Sequence, residues 1–76
     1  MSQLSDRVLK EVTVYLGPAT KTFLERQTKS HMNGLAFDDV SSANIPELAK
    51  WVETSAGLLI GKDQSKEIAD KIREMK

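Results

Sequence analysis

Apolar residues return along this chain at three- and four-residue steps, the spacing that lines one face of a helix. In the first stretch they are Leu4, Val8, Val12 and Tyr15 or Leu16, and they predict a helix over residues 5–16. Ser5 or Asp6 is placed to cap its start, because a short side-chain oxygen accepts from the free amides of a first turn. Val12, Thr13 and Val14 are β-branched in succession, which disfavours helix, so a strand over residues 11–16 stays open as an alternative.

Gly17-Pro18 ends this helix and starts the next. Glycine takes a left-handed turn without a Cβ clash, and proline suits a first helical turn where its missing N–H is not needed. The second helix is predicted over residues 18–31, with Ala19, Phe23, Leu24, Gln27 and Met32 near one stripe. Lys21, Glu25, Arg26 and Lys29 face elsewhere, and Glu25 and Lys29 form a favourable i,i+4 pair. Asn33-Gly34 is a stop signal. Residues 35–43 read as the one true loop, pinned by Leu35 and Phe37 and with room for a short helical turn.

Asn44-Ile45-Pro46-Glu47 reads as a capping box opening a third helix. Ile45, Leu48, Val52, Ser55 and Leu59 follow one face, widened by Trp51 and Leu58. Gly57 inside this pattern marks either a close approach by another helix or an early helix end. Gly61-Lys62-Asp63 separates a last helix, capped by Asp63 or Ser65, whose apolar seam is Ile68, Ala69, Ile72 and Met75. Glu67 and Lys71 supply another i,i+4 pair. The expectation is an all-α, compact four-helix domain, two helical hairpins joined by one loop, with residues 1–76 forming a single domain.

Composition narrows the functions. With 76 residues the core is small, and with no cysteine and one histidine neither a disulfide nor a usual zinc site can brace it. Tidy helix packing or self-association remains, and a homodimer is one expectation. Eleven basic and eleven acidic side chains cancel, whereas a dedicated nucleic-acid binder shows a basic excess or face. The first 32 residues carry a slight positive excess and the rest a slight negative one. The longest apolar run, Gly57-Leu58-Leu59-Ile60-Gly61, is far short of a membrane span. The amino terminus has no basic segment followed by an apolar one, and we expect a cytoplasmic protein.

Two phrases carry a resemblance. Tyr15-Leu16-Gly17-Pro18-Ala19 is followed by Phe23-Leu24-Glu25-Arg26, and Asn44-Ile45-Pro46-Glu47-Leu48-Ala49-Lys50-Trp51-Val52-Glu53 comes later. Together they resemble small helical domains at the carboxyl end of bacterial and archaeal signalling proteins, including Roadblock/LC7-type and kinase-linked chains. Those domains carry a similar helix junction and then a second helical pair. The resemblance covers most of the chain and implies a signalling setting. It brings no catalytic residue; no partner domain lies within these 76 residues, so the chain is expected either to stand alone or to be part of a longer protein.

Candidate chemistry is sparse. Gly17-Pro18 opens a helix with free amides, but a phosphate loop needs several glycines and a lysine at fixed spacing, and Lys21 alone does not supply them. His31 is the one side chain of a type that titrates near neutrality; Ser30 beside it points about 100° away on a helix, and a histidine favoured by the helix dipole is the better account. Asp38-Asp39 lacks the further oxygens of a metal loop and reads as a solvated turn. Lys21, Arg26 and Lys29, with Arg7 and Lys10, form a candidate basic patch. A nucleic-acid-binding helical adaptor is therefore the alternative function, although the Gly-Pro turn is shorter than that of a helix-turn-helix. Among the large side chains Trp51, Phe37, Tyr15, Phe23 and Met32, most belong in the core. Tyr15, Trp51 and Leu58 are the candidate interface, since polar-tipped aromatics tolerate a half-wet site. With no nucleophile–base pair, metal set or phosphate cradle, the expectation is no enzyme, no cofactor and no metal. A non-catalytic protein-interaction or self-association module in a cytoplasmic signalling context, with a protein partner or itself and no membrane, is the function expected.

Overall fold

The computed structural model describes residues 3–75. α1 spans Gln3–Leu16, so the helix begins upstream of the expected caps. Ser5 lies inside it and is buried, and Asp6 sits in its first turn. The β-branched run is helical. Val8 and Val12 are fully buried, and the Thr13 hydroxyl donates to the Leu9 carbonyl at 2.6 Å. Tertiary burial of the apolar face outweighs the weak propensity here, which closes the strand alternative.

Gly17 takes φ +69 and leads into a 3-10 turn, Gly17–Ala19. The Thr20 hydroxyl donates to the Gly17 carbonyl at 2.7 Å, and α2 then spans Thr20–His31, starting two residues later than the proline suggests. Its buried stripe is Thr20, Leu24, Gln27 and Thr28, followed by Met32. Ala19 is exposed and Phe23 half-buried, so the face is turned by about one residue from the apolar pattern. Threonine can occupy it because its hydroxyl finds a carbonyl within the helix. Thr28 Oγ1 donates to the Glu25 carbonyl at 3.1 Å.

Asn33 and Gly34, at φ +58 and +74, turn the chain. The connection holds two 3-10 turns, Phe37–Asp39 and Ser42–Asn44, rather than one. Phe37 and Val40 plug into the core and Leu35 lies against it. The expected Asn44–Glu47 capping box is absent. Asn44 Oδ1 instead accepts from the Ser41 amide at 2.9 Å and from the Ser41 hydroxyl at 3.0 Å. The asparagine closes the turn before the helix and has no oxygen to spare for the helix itself.

α3 spans Ile45–Ile60 and α4 spans Lys62–Arg73, with Gly61 alone between them at φ +91. Asp63 and Ser65 are therefore helical, and neither acts as a side-chain cap. Ser65 is buried and its hydroxyl donates to the Lys62 carbonyl at 3.0 Å. α3 buries Ile45, Leu48, Ala49, Val52 and Ala56. Leu59, expected on this face, is 65% exposed, and Leu58 is 88% exposed. α4 buries Ile68, Ala69 and Ile72, with Met75 beyond its end, as the spacing predicts. The α3–α4 contact is the most extensive between any two elements, and both helices place small residues in their buried stripes. A Cβ on Gly57 would meet Ser65 Oγ at 3.4 Å, so Gly57 marks a close approach and not a helix end.

α1 touches α2 and α4, and α2 touches α3. Val8, Val12, Leu24, Phe37, Val40, Ile45, Leu48, Val52, Ile68 and Ile72 share one core. The fold is all-helical; no strand occurs among the described residues, and none of their helices is long and apolar enough to cross a membrane.

Candidate interaction surface along α2 and α3

α3 carries a second stripe beside its core stripe. Trp51, Ser55 and Leu58 recur at steps of four and three, so they lie on one side of the helix. α2 faces that side, and its own residues meet it at four-residue steps in the opposite direction. At the first rung His31 stacks on Trp51, with ring centroids 4.1 Å apart and planes 10° from parallel. Lys50 Nζ lies 5.4 Å from the Trp51 ring centroid, within range of a cation–π attraction. At the second rung the Ser55 hydroxyl donates to Gln27 Oε1 at 2.8 Å, and Gln27 Nε2 donates to the Phe23 carbonyl at 3.4 Å. Gln27 is buried, and this pairing offsets its desolvation.

The third rung is open. Ala19 of the 3-10 turn and Thr22, Phe23 and Arg26 of α2 face Ser55, Leu58 and Leu59 of α3 across a groove of about 380 Å³. On the other side of Leu58 a second hollow of about 550 Å³ is lined by Glu53, Thr54, Gly57, Lys62, Asp63, Ser65 and Lys66. Leu58 thus stands on the ridge between two hollows.

The three expected interface residues do not converge. Trp51 and Leu58 share the α3 stripe, but Trp51 is half-buried under His31, and its indole N–H is buried with no acceptor among the described residues. Tyr15 belongs to a polar cluster between α1 and α4. Its hydroxyl accepts from Lys71 Nζ at 2.9 Å, and Glu67 Oε1 lies 3.5 Å from it. Lys71 also pairs with Glu11 at 3.8 Å. The Glu67 and Lys71 pair is therefore bridged through the phenol. The hydrogen bond to Tyr15 raises the Lys71 pKa most, burial opposes it, and the nearby Tyr15, Glu11 and Glu67 add to the rise. At the end of α4, Arg73 bridges Glu53 and Asp70, each at 3.0 Å, and its pKa rises chiefly through the Glu53 hydrogen bond.

The basic residues are dispersed. Lys21, Arg26 and Lys29 are all exposed on α2, but Arg26 is the one that lines the α2–α3 groove. Arg7 and Lys10 line a separate shallow hollow on α1 together with Gln3, Asp6 and Leu9. Asp38 and Asp39 are exposed within their turn, and no group of three or more metal-ligating side chains gathers among the described residues.

The sequence puts Trp51 and Leu58 forward as candidates but not their neighbours on α2. His31, Gln27 and Phe23 recur at four-residue steps, as do Trp51, Ser55 and Leu59, and that matched periodicity was the available signal. Comparison with known proteins adds no relative: no family model, curated protein or solved structure matches the chain.

Proposed function

We propose that the chain is a non-catalytic interaction module, read as a four-helix domain of two hairpins, that docks a protein partner at the open end of the α2–α3 seam. The observation behind this reading is the pair of adjacent leucines, Leu58 and Leu59, left 88% and 65% exposed beside an apolar groove. Full burial of a leucine side chain stabilises by about 1.5–3 kcal/mol. Most of that remains unrealised at Leu58 and Leu59, because their surface is still in water. Val14, 78% exposed on α1, is a scattered apolar residue of the ordinary kind. The signalling and cytoplasmic setting rests on the resemblance of the Tyr15-Leu16-Gly17-Pro18-Ala19 junction and the segment from Asn44 to domains of signalling proteins.

The test is site-specific photo-crosslinking in cells that make the chain. A photoreactive amino acid replaces Leu58, and a control replaces the exposed Thr13 on α1. A discrete adduct from position 58 that is absent from position 13, and that Leu59→Lys removes, is the expected result. No adduct at position 58, or the same adduct from both positions, ends the reading.

A further inference from the structure

The turn that ends α2 leaves one asparagine open to chemistry, and we propose that Asn33 is a site of spontaneous deamidation in the folded chain. An asparagine side chain closes a five-membered ring with the backbone nitrogen of the next residue when that nitrogen is free and unshielded. Asn33 and Gly34 are both exposed. Among the described residues no hydrogen bond engages the Asn33 side chain or the Gly34 amide. Gly34 has no Cβ to shield its nitrogen, and a Cβ built there would meet nothing within 4 Å. The peptide between the two residues therefore has room to rotate about the Asn33 Cα–C bond, which ring closure requires. Asn33 sits at φ +58, a region that L residues disfavour, so leaving it meets no resistance from the residue itself. One hydrogen bond spans the turn, from the Leu35 amide to the Met32 carbonyl at 3.1 Å.

Asn44, the chain's other asparagine, is closed to the same reaction. Its Oδ1 accepts from the Ser41 amide at 2.9 Å and the Ser41 hydroxyl at 3.0 Å. The residue after it is Ile45, β-branched and fully buried, whose amide donates to the Ser42 carbonyl. The carbon to be attacked is held, and the attacking nitrogen is engaged.

At Asn33 a base in solution takes the Gly34 amide proton, and the nitrogen bonds to Asn33 Cγ. The Cγ–Nδ2 bond breaks, and ammonia leaves with a proton. Water then opens the succinimide at either carbonyl. Cleavage at Cγ gives aspartate, and cleavage at the main-chain carbonyl gives isoaspartate, with water consumed and ammonia released in both cases. Either product places a carboxylate at the carboxyl end of α2, where the helix carbonyls are already partly negative. Isoaspartate also lengthens the main chain by one carbon and disrupts the Met32–Leu35 turn. The converted chain is therefore less stable at the end of α2, where His31 stacks on Trp51.

The full chain, kept folded in mildly alkaline buffer beside a peptide of residues 29–37 as the unstructured reference, tests the proposal by peptide mapping and mass spectrometry. The fragment holding residue 33 is expected to gain the mass of an –NH2 to –OH exchange and to elute as two products, while the fragment holding Asn44 stays unchanged. The intact chain should acquire a more acidic isoelectric form. Asn33→Gly, which keeps the left-handed turn, should acquire none. The acidic form, isolated by ion exchange, should unfold at lower urea than the unconverted chain. An Asn33 that stays intact after the reference peptide has converted overturns the proposal, as does an Asn44 that converts equally fast. An acidic form with an unchanged urea midpoint overturns the effect on α2.

Discussion

Gly57 offers the sharpest test of the packing. It lies inside α3, outside the left-handed region, so its backbone does not require glycine. Replacing a helical glycine by alanine gains about 0.8–1.0 kcal/mol of helix propensity. The cost depends on what the new methyl meets. An ideal Cβ would lie 3.4 Å from Ser65 Oγ and 4.0 Å from Ser65 Cβ, which is ordinary contact and adds about 0.1–0.2 kcal/mol of dispersion per atom pair. Gly57→Ala should therefore stabilise the domain by about 1 kcal/mol, a rise of about 4–8 °C in Tm for a chain of this size. Valine should reverse the sign. Its extra carbons meet Ser65, which is buried and held on the Lys62 carbonyl at 3.0 Å, and overpacking of this kind costs about 1–3 kcal/mol. Urea and thermal unfolding followed by far-ultraviolet circular dichroism measure both variants. If Gly57→Ala proves less stable than the wild type, the helices are closer at this point than described, and if Gly57→Val is as stable as Gly57→Ala, they are further apart; either result refutes the packing. Ser65→Ala in the valine background should recover part of the loss, because it removes the atom in contact.

Three further outcomes follow from the seam and the α1–α4 cluster. Trp51→Phe should cost less than about 1 kcal/mol, since it keeps a ring beneath His31 and removes a buried N–H without an acceptor, while Trp51→Ala should cost about 2–4 kcal/mol at this half-buried site; urea titration of both variants compares them. Ser55→Ala leaves buried Gln27 Oε1 without its donor and should cost about 1–3 kcal/mol, and the double change Gln27→Leu with Ser55→Ala should be milder than the single losses added together, as a double-mutant cycle would read. Because Lys71 has its pKa raised in the folded state, its contribution is complete below the unfolded value of 10.5 and is lost as pH rises through the folded value. Urea midpoints should therefore fall more steeply above pH 10.5 in the wild type than in Lys71→Met, and equal slopes would contradict the Tyr15–Lys71 bond.

Helical periodicity made the fold class legible, and the seam of α4 was legible residue by residue. The start of α3 was legible in place, with Asn44 at the position before the helix, but side-chain caps were not legible at any helix start. Ser5 and Ser65 are residue types that cap helices, yet both lie buried inside one, and Ser65 satisfies its hydroxyl on a carbonyl of its own turn. Asn44 has the right spacing to Glu47, yet its oxygen serves Ser41. A short polar side chain can bond to backbone on either side of itself, and spacing alone does not say which. The threonines of α2 misled in the opposite sense. Thr20 and Thr28 look like surface residues but are buried, and this turned the helix away from its apolar pattern and left Ala19 outside.

That turn also explains why the seam stays open at one end. α3 presents two apolar stripes, and only one fits against the core shared with α4. Covering the second falls to α2, whose sequence TKTFLERQTKSH supplies Leu24 and Phe23 as its large aliphatic and aromatic side chains apart from His31. Leu24 is spent in the core. His31 covers Trp51, Gln27 meets Ser55 with a hydrogen bond, and Phe23 alone remains beside Leu58 and Leu59. A helix with this much polar content cannot cover both leucines. Their exposure is therefore a consequence of α2's composition set against α3's, and it holds for any small adjustment of the helix angle. Any cover for them has to come from outside the fold.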